Sequence, residues 1–591
     1  TPAAQAQINA THEKLKQARA STTMTLKPTP MLRTQIVGFD KQEQQLTLRN
    51  YQCQGIYHLL LMKRMVLGDG TGLGKTLQTL GALCYLWQKE TENRVIVVSP
   101  KAALRQWESE IDRFTVGVKV FLVRGSPAQR EATYKAWATH AGPDKPVLII
   151  NYHLLVRDWD AGGGMQQDPA HPANPKKKVY VAGLFNKITA ELPAIVTIYD
   201  EATAFKTTST KTFQVCEALS HRSHRSYGLT ATLLKNNLME GFAIFKVVVP
   251  WAFGTKTAFM DTFAVTRLQS MPGGRKVPLI LGYRNLELFR QIIDPYFLGR
   301  PKHVVSDELP VLITKEITCE LGTAEDRKYG EALSGILELG DGTVKDYEES
   351  KALVALIYCQ QIVNSLAMLK FKEGDEIPVG MFGDDETLKV ESMGAKESAL
   401  VELLADELDG EKVIIYTRFE SLVGRLQTLL THAGIKSARI TGKESGDKRK
   451  VNQDAFQDPD SPIKVIFITD AGSEAINLQA ASSLIFFDAP WSWGNYVQIL
   501  GRPVRIGSKH QSVVVYHLIA ERPRERAKDR KTIDHHVLDL LRSKKRLSDA
   551  VLGEATVGAL LFDRESKSGA RNLIRKLQGK EVVLTPNAAV V

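Results

Sequence analysis

The chain has 591 residues, of which 43% are hydrophobic and 24% charged, and its formal net charge is +11. This length predicts several domains, and the composition is that of a globular protein whose core needs no disulfide bonds. Five scattered cysteines without a C-x-x-C pair argue against a zinc site, and no apolar run reaches the roughly 18 residues of a spanning helix. The charge permits an anionic partner such as nucleic acid without requiring one.

The first 45 residues are expected to form a polar arm with one strand. The segment is rich in Thr and Gln, and Pro28 and Pro30 would interrupt a long helix. It also lacks the charged and then apolar pattern of a signal peptide. We therefore expect no membrane contact.

Short β-branched runs alternate with helical stretches from Leu48 onward. The runs are RVIVVSP (94–100), VLIIN (147–151) and AIVTIYDE (194–201), and later KVIIYTR (412–418), KVIFITD (464–470), SLIFFD (483–488) and SVVVYHLI (512–519). Continuous apolar strands between helices predict a parallel sheet that is covered on both faces. The sequence therefore predicts two α/β domains, with a mainly helical region at about 236–396 between them.

A Gly- and Pro-rich insertion, DAGGGMQQDPAHPANPKKK (160–178), interrupts the first of these domains. Its composition predicts a surface loop. The PKKKV stretch (175–179) resembles a short nuclear-import signal, but a solvated loop is the more frequent structure for so short a basic run.

The stretch GDGTGLGKT predicts a phosphate-binding loop. Gly72 and Gly74, on either side of Leu73, let backbone N–H groups approach phosphate oxygens, and the start of the following helix favours negative charge. Lys75 is expected to contact the β- and γ-phosphates of ATP, and the Thr76 hydroxyl is expected to bind Mg²⁺. The stretch therefore predicts a nucleotide site with ATP and Mg²⁺ as cofactors.

An acidic pair follows an apolar strand in YDEAT (199–203). Asp200 at this place suits the binding of Mg²⁺, and Glu201 suits the orientation and deprotonation of the attacking water. A solvated strand end is the alternative for an isolated Asp-Glu pair. Its position after an apolar strand and downstream of a Gly-Lys-Thr helix start argues against that alternative.

Two arginines occur in QILGRPVRIG (498–507), in the second domain. Arg502 and Arg505 share one face if this stretch is helical, and their guanidinium groups could then reach a γ-phosphate as arginine fingers. Alone, the pair is more often a surface basic patch. Because the three sites lie on two domains, we expect ATP to bind between them and hydrolysis to open and close the cleft.

Further motifs occur in a specific order along the chain. They include LRNYQCQGIYHLL (48–60), VVSPKAALRQWESEI (97–111), INYHLL (150–155), GLTATLLKNNLMEGFAIFKVVVPWAFG (228–254), TRFES, RITG and TDAGSEAINLQAASSLIFFDAPWSW. Together with the three sites above, they resemble the motifs of the SWI/SNF-type branch of the superfamily-two helicase-like ATPases. The resemblance covers about Leu48 to Glu554.

This resemblance implies an α/β fold of two RecA-like parallel-sheet lobes, with helical protrusions inserted between them and a C-terminal brace helix. We expect an arm at 1–45 and a first lobe at 46–308, with a protrusion from about 236. We expect a second lobe at 309–520, with a protrusion at about 323–396. The brace helix and the tail are expected at 521–591.

The resemblance also extends the nucleotide site. It implies that Gln52 contacts the adenine base and that Gln498 joins the cofactor-binding residues. The catalytic set then consists of Lys75, Asp200, Glu201, Arg502 and Arg505.

The chain departs from the family pattern at several motif positions. Gly70 stands where Glu is common, Ala231 and Leu233 replace a glycine and a proline, Asp470 stands where many members have Arg, and the acidic motif reads DEAT instead of DEAH. None of these positions handles phosphate directly. They indicate a divergent member of bacterial or viral type and leave open how hydrolysis is coupled to movement.

DNA contacts are expected at strand ends in both lobes, where backbone N–H groups and small hydroxyl side chains hold phosphates without reading bases. The candidates are Ser99, Lys101, Tyr152, His153, Arg418, Thr441, Thr469 and Trp491. For Trp491 and Trp493, core packing is the alternative, and we favour it for at least one of the two.

The leading hypothesis is a DNA-dependent ATPase that translocates along double-stranded DNA and remodels protein–DNA complexes. Two alternatives stay open: a strand-separating or strand-annealing helicase, and an ATP-gated scaffold that acts on RNA polymerase. We expect a monomer, located in the cytoplasm at the nucleoid of a bacterial or virus-infected cell, or in the nucleus of a eukaryote.

Overall fold

The structure, a computed structural model, divides the chain into two compact units. The first comprises Thr1–Ala264, Tyr283–Asp307 and Leu547–Ala559, and the second comprises Val265–Gly282, Glu308–Arg546 and Leu560–Val591. The structure describes residues 2–21, 23–27, 29–37, 43–88, 94–161, 163–167, 178–192, 194–270, 276–300, 309–339, 344–346, 352–369, 376–378, 387–389, 393–472, 476–505, 508–525, 529–552, 559–561 and 577.

Seven parallel strands form the central sheet of the first unit. Their order across the sheet is Phe297–Leu298, Arg64–Leu67, Arg225–Leu229, Ile195–Asp200, Arg94–Ser99, Lys145–Asn151 and Val118–Leu122. In Arg94–Ser99 every residue after the first is buried, so side chains that point to either face are covered. This confirms the prediction from the continuous apolar runs.

The helices of the first unit follow the apolar spacing of the sequence. In Leu104–Phe114, for example, the buried side chains are Trp107, Ile111 and Phe114, four and seven positions apart on one face. The α-helices are Pro2–Ala20, Asn50–Leu61, Lys75–Gln88, Leu104–Phe114, Pro127–Ala138, Tyr152–Trp159, Leu184–Glu191, Lys211–Arg222, Leu238–Val248, Lys256–Phe263 and Leu286–Ile293. Two small antiparallel pairs are Gln35–Val37 with Glu43–Gln45 and Gly164–Gln167 with Lys178–Val181.

Six parallel strands form the central sheet of the second unit. Val413 and Ile415 pack into one buried cluster, whereas Ile414 and Tyr416 pack into another, so this sheet is also covered on both faces. The order across the sheet is Val311–Glu320, Ser512–Glu521, Ser483–Phe486, Val413–Tyr416, Val465–Ile468 and Ser437–Ile440.

Helices and small strands complete the second unit. The α-helices are Thr323–Ser334, Ala352–Asn364, Ala395–Ala405, Glu420–His432, Gly446–Gln457, Trp493–Leu500 and Ile533–Leu552, the last of which continues into the first unit. The small strands are Ala264–Ser270, Lys276–Arg284 and Ala559–Leu561 in one sheet, and the antiparallel pairs Ile336–Glu338 with Val344–Asp346 and Glu376–Pro378 with Thr387–Lys389.

The structure differs from the expectation in two regions. The polar arm contains the helix Pro2–Ala20, because Pro28 and Pro30 lie beyond a run of good helix formers. Arg19 anchors this helix by donating to Asp294 Oδ1 at 2.8 Å. The region 236–396 contains helices as predicted, but it also contains the ten-residue strand Val311–Glu320, in which half of the residues are the β-branched Val, Ile and Thr.

Within the part of the chain that the structure describes, no helix is both long enough and apolar enough to cross a membrane.

Candidate functional site

The sequence motifs of the first unit gather at one edge of its sheet. The loop 68–76 follows Arg64–Leu67, the acidic pair ends Ile195–Asp200, and three further motifs follow Arg225–Leu229, Arg94–Ser99 and Lys145–Asn151. Because the strands are parallel, their carboxyl ends meet at the same edge, which is the usual ligand-binding edge of such sheets.

The glycines of the loop bring its backbone close to Gln52. Gly72 and Gly74 have φ values of 84° and 73°, which glycine adopts without strain. A Cβ atom on Gly74 would lie 2.9 Å from Gln52 Nε2. The other end of that amide accepts a hydrogen bond from the backbone N–H of Arg49 at 3.0 Å. Gln52 therefore borders the loop, and its role in the nucleotide site, which the resemblance implies, stays a prediction.

Lys75 and Thr76 open the helix Lys75–Gln88. The Lys75 ammonium group donates to the backbone oxygens of Asp69 at 2.8 Å and Gly70 at 3.3 Å, so it lies across the loop. Thr76 is half-buried in the first turn, and Leu73 is fully buried below the loop. A cation that lies across a helix N-terminus is suited to phosphate.

Asp69 does not face the space that phosphate would take. Its carboxylate is fully buried and pairs with Arg300, whose Nε lies 2.9 Å from Oδ1, and it accepts a bond from Gln78 Nε2 at 3.0 Å. The role of Arg300 was missed, because its partner lies 231 residues away and no local pattern marks the pair.

Asp200 is held at both its side chain and its backbone. Trp107 Nε1 donates to Oδ2 at 2.8 Å, the Glu201 N–H donates to Oδ1 at 3.1 Å, and the Tyr152 hydroxyl donates to the backbone oxygen at 2.7 Å. Burial and the neighbouring Glu201 carboxylate raise the pKa of Asp200 to about 6, whereas the Trp107 bond and the charge of Lys75 oppose this shift. The structure therefore brings Lys75, Asp200 and Glu201 together.

Glu201 has a left-handed backbone with φ of 48°, which is uncommon outside glycine. Such strain persists only where the surrounding structure imposes it, and it concentrates at functional sites. The conformation ends the strand at Asp200 and starts the short 3₁₀ helix Ala202–Phe205.

The segment 230–240 is fixed by one buried carboxylate that sequence reasoning missed. Glu240 accepts bonds from the backbone N–H groups of Lys235 at 2.7 Å and Asn236 at 2.8 Å, and it pairs with Lys206 at 2.8 Å. Lys206 follows directly on the 3₁₀ helix Ala202–Phe205. Glu240 thus ties the segment after Asp200 to the segment after the neighbouring strand.

In the second unit, Arg502 and Arg505 converge on one carbonyl. Nη1 of Arg502 and Nη2 of Arg505 each lie 3.1 Å from the backbone oxygen of Ile476, and Arg505 also binds the side chain of Asn477. The condition for a shared helix face is not met, because the helix Trp493–Leu500 ends before either arginine. Gln498 is buried inside that helix.

Asp470, where many members of the resembled family have Arg, forms bonds inside its own unit. Its Oδ1 accepts from the Tyr416 hydroxyl at 2.8 Å and from Asn495 Nδ2 at 3.2 Å. This acidic residue therefore connects the strand Val413–Tyr416 with the helix Trp493–Leu500.

The DNA candidates of the first unit differ in exposure. Lys101 and His153 are exposed, whereas Ser99 and Tyr152 are buried. The Ser99 hydroxyl lies 3.2 Å from the Pro100 oxygen, and the Tyr152 hydroxyl is bonded to Asp200 as described above. A contact of these two with DNA would have to use the backbone, and all four assignments stay predictions.

The DNA candidates of the second unit lie at the carboxyl ends of its strands. Thr469 is buried, and the Thr441 hydroxyl lies 2.9 Å from Glu420 Oε1 and 2.7 Å from Glu444 Oε2, so two carboxylates surround it. A phosphate at Thr441 would have to overcome both negative charges. These two assignments also stay predictions.

Arg418 and Trp491 share one acceptor. The guanidinium of Arg418 donates to Gln360 Oε1 at 2.6 Å, and the indole of Trp491 donates to the same atom at 3.0 Å. Trp491 and Trp493 are half-buried and pack against a buried cluster, which agrees with the core-packing alternative for the pair. Gln360 has no sequence signal that would have marked it.

Some of the quoted motifs fall partly outside the described residues. These parts are 162 and 168–177 of the Gly- and Pro-rich insertion, 473–475 and 506–507.

Two family models match the chain. The model of the SNF2-related domain matches residues 51–368, and that of the Helicase conserved C-terminal domain matches residues 395–507. The chain is 25% identical over 515 residues to the transcription regulatory protein SNF2 of Saccharomyces cerevisiae. The matched segment covers 83% of this chain and 28% of that protein. It is 23% identical over 514 residues to an uncharacterized ATP-dependent helicase of Mycoplasma pneumoniae, over 86% of this chain and 42% of the relative.

The chain thus spans less than half of the length of these two curated relatives. Among solved structures, it is similar to the Sulfolobus solfataricus SWI2/SNF2 ATPase core in complex with dsDNA. That comparison has 20% identity and a TM-score of 0.37, over 90% of this chain and 96% of the other.

Proposed function

Because this chain belongs to the SNF2-related domain family, we propose that it is a DNA-dependent ATPase that translocates along double-stranded DNA and remodels protein–DNA complexes. The names of two relatives, a transcription regulatory protein and an ATP-dependent helicase, agree with this proposal.

The observation that carries the proposal is the arrangement of Lys75, Asp200 and Glu201 at the carboxyl edge of one parallel sheet. The charge of Lys75 acts on the buried Asp200 carboxylate, and Glu201 follows it in a strained turn. An ATPase needs a cation for the phosphates, a carboxylate for a metal ion and a second carboxylate for water. The edge carries one side chain of each kind, and this supports the proposal.

The chain also offers a fitting site for Mg²⁺. The Thr76 hydroxyl and the Asp200 carboxylate are hard oxygen ligands, and a Mg²⁺ ion in a phosphate site takes only one or two protein ligands beside phosphates and waters. No cluster of three or more His, Cys, Asp or Glu side chains with metal-site geometry occurs among the described residues, and this kind of site requires none. When bound, Mg²⁺ would neutralise charge on the β- and γ-phosphates.

The residues of the first unit would act in sequence. Gln52, which borders the loop, would contact the base, and the backbone around Gly72 and Gly74 would hold the phosphates. Lys75 would exchange the carbonyl oxygens of Asp69 and Gly70 for phosphate oxygens.

Glu201 would then orient a water molecule and accept its proton, with its position set by the strained turn. Arg502 and Arg505 of the second unit would supply positive charge to the transition state. Both are held near Ile476 by their guanidinium groups, which keeps the pair together.

Translocation is tested by displacement of a third strand from a DNA triplex. We expect ATP-dependent release of the third strand, without separation of the duplex strands in a parallel assay. Release of a duplex strand instead would favour a strand-separating helicase. Stimulation of the ATPase by RNA polymerase and not by DNA would favour the scaffold alternative.

A further inference from the structure

Asp200 is anchored by Trp107, a residue outside the predicted catalytic set. The indole N–H donates to Asp200 Oδ2 at 2.8 Å, and the Glu201 N–H donates to Oδ1 at 3.1 Å. With one donor on each oxygen, the carboxylate cannot rotate without the loss of a hydrogen bond. Each oxygen keeps lone pairs for a further ligand.

Packing alone does not explain the bond. Trp87 and Trp137 are equally buried in the same unit, yet their indole Nε1 atoms have no hydrogen-bond partner among the residues that the structure describes. This unit therefore tolerates a buried tryptophan whose N–H is not engaged. Trp107 differs from both because its N–H is directed at a carboxylate 93 residues away.

The hydrogen bond of Trp107 also connects Asp200 with a segment that is expected to contact DNA. Trp107 lies in the helix Leu104–Phe114, which follows directly on the candidate DNA segment with Ser99 and Lys101. The Tyr152 hydroxyl, from the second such segment, holds the backbone oxygen of Asp200 at 2.7 Å. In the first unit, both segments that are expected to contact DNA are thus connected to Asp200 by a hydrogen bond.

We propose that Trp107 is a positioning residue that fixes the Asp200 carboxylate for the divalent cation of the nucleotide complex. The inference rests on the proposed ATPase function and assigns to it a residue that acts through Asp200. The hydrogen bond of Trp107 affects the metal-dependent part of nucleotide binding, because a carboxylate that is free to rotate has to be ordered before it can bind the cation.

The test measures the equilibrium affinity of the full chain for a fluorescent, non-hydrolysable ATP analogue, with Mg²⁺ and with EDTA. We expect Trp107→Phe to reduce the Mg²⁺-dependent gain in affinity about tenfold, because a hydrogen bond to a charged group is lost. Affinity in EDTA should stay within about twofold of wild type. Trp137→Phe, which removes an indole N–H that makes no such bond, is the matched control and should leave both values unchanged.

Three results would overturn the inference. The first is a Mg²⁺-dependent gain in affinity that is unchanged in Trp107→Phe, and the second is a gain of equal size in Trp107→Phe and Trp137→Phe. The third is an equal loss of affinity in EDTA, which would show a packing role. If Trp107→Phe does not fold by circular dichroism, Trp107→Leu replaces it in the same assay. A wild-type chain whose affinity does not depend on Mg²⁺ would instead contradict the proposed function itself.

Discussion

Arg300 and Asp69 form a buried ion pair that links the start of the nucleotide loop to the residues that follow the strand Phe297–Leu298 in the chain. The carboxylate is fully buried, and the guanidinium also donates to the backbone oxygen of Tyr51 at 2.7 Å and to Gln78 Oε1 at 3.1 Å. Arg300 thereby joins the loop to the helices Asn50–Leu61 and Lys75–Gln88. Asp69 is thus a structural anchor of the loop.

Replacement of Arg300 by Ala should destabilise the first unit by about 3 to 5 kcal/mol, because the buried Asp69 charge loses its partner. The free energy of unfolding from urea titration measures this effect. Lys135→Ala, which breaks an exposed pair with Glu131 in the same unit, is the control and should cost less than about 1 kcal/mol. Equal effects of the two variants would refute the anchor role.

Gly74→Ala should impair nucleotide binding, whereas Gly70→Ala should not. An alanine at position 74 would have to adopt a left-handed backbone, which costs roughly 1 to 2 kcal/mol. Its Cβ atom would lie 2.9 Å from Gln52 Nε2. Gly70 is not among the described glycines with positive φ. We expect KM for ATP to rise at least about tenfold in Gly74→Ala only. A similar KM in both variants would contradict the assigned loop geometry.

Glu201→Gln should retain binding of ATP and DNA but lose turnover by about 100-fold or more, because the amide cannot accept a proton from water. Steady-state ATPase assays and filter binding measure the two properties. Glu191→Gln, at an exposed helix end of the same unit, should keep the wild-type rate. Rapid hydrolysis by Glu201→Gln would disprove the assignment of Glu201 as the base.

Acid should weaken the first unit through His58. Burial and the nearby charges of Arg19 and Arg300 lower the pKa of His58 to about 4, and its Nε2 already accepts from Arg19 Nε at 3.3 Å. Because the unfolded chain takes up the proton near pH 6.5, stability is full above that pH and falls as pH drops toward 4, by a total on the order of 3 kcal/mol.

The measurement is urea unfolding of wild type and His58→Gln at pH 7 and pH 5. The loss between the two pH values should be smaller in His58→Gln, which cannot titrate. Identical pH dependence in wild type and His58→Gln would contradict the burial of a neutral imidazole.

Features with a local signal were predictable from the sequence. The continuous apolar runs gave both parallel sheets, since residues such as Ile414 and Ile415 must cover opposite faces. Motifs at strand ends then had to meet, because parallel strands share a carboxyl edge. This rule accounts for the shared edge of Lys75, Asp200 and Glu201, which the phosphate-loop and acidic motifs had marked.

Features that depend on distant partners were not predictable. The bond from Trp107 to Asp200 and the pair of Arg300 with Asp69 join residues 93 and 231 positions apart. Neither spacing nor composition marks such partners. The N-terminal helix Pro2–Ala20 was missed for a different reason, because Pro28 and Pro30 lie beyond its end and do not interrupt it.

The most direct test of the central claim is the ATPase rate of the full chain with no nucleic acid, with single-stranded DNA, with duplex DNA and with RNA. A motor that holds the backbone of double-stranded DNA should be stimulated strongly by the duplex, and the stimulation should decline as salt rises. We therefore predict that duplex DNA gives the highest rate, at least about tenfold above the rate without nucleic acid. Equal rates under all four conditions would contradict the assignment of this chain as a DNA-dependent ATPase.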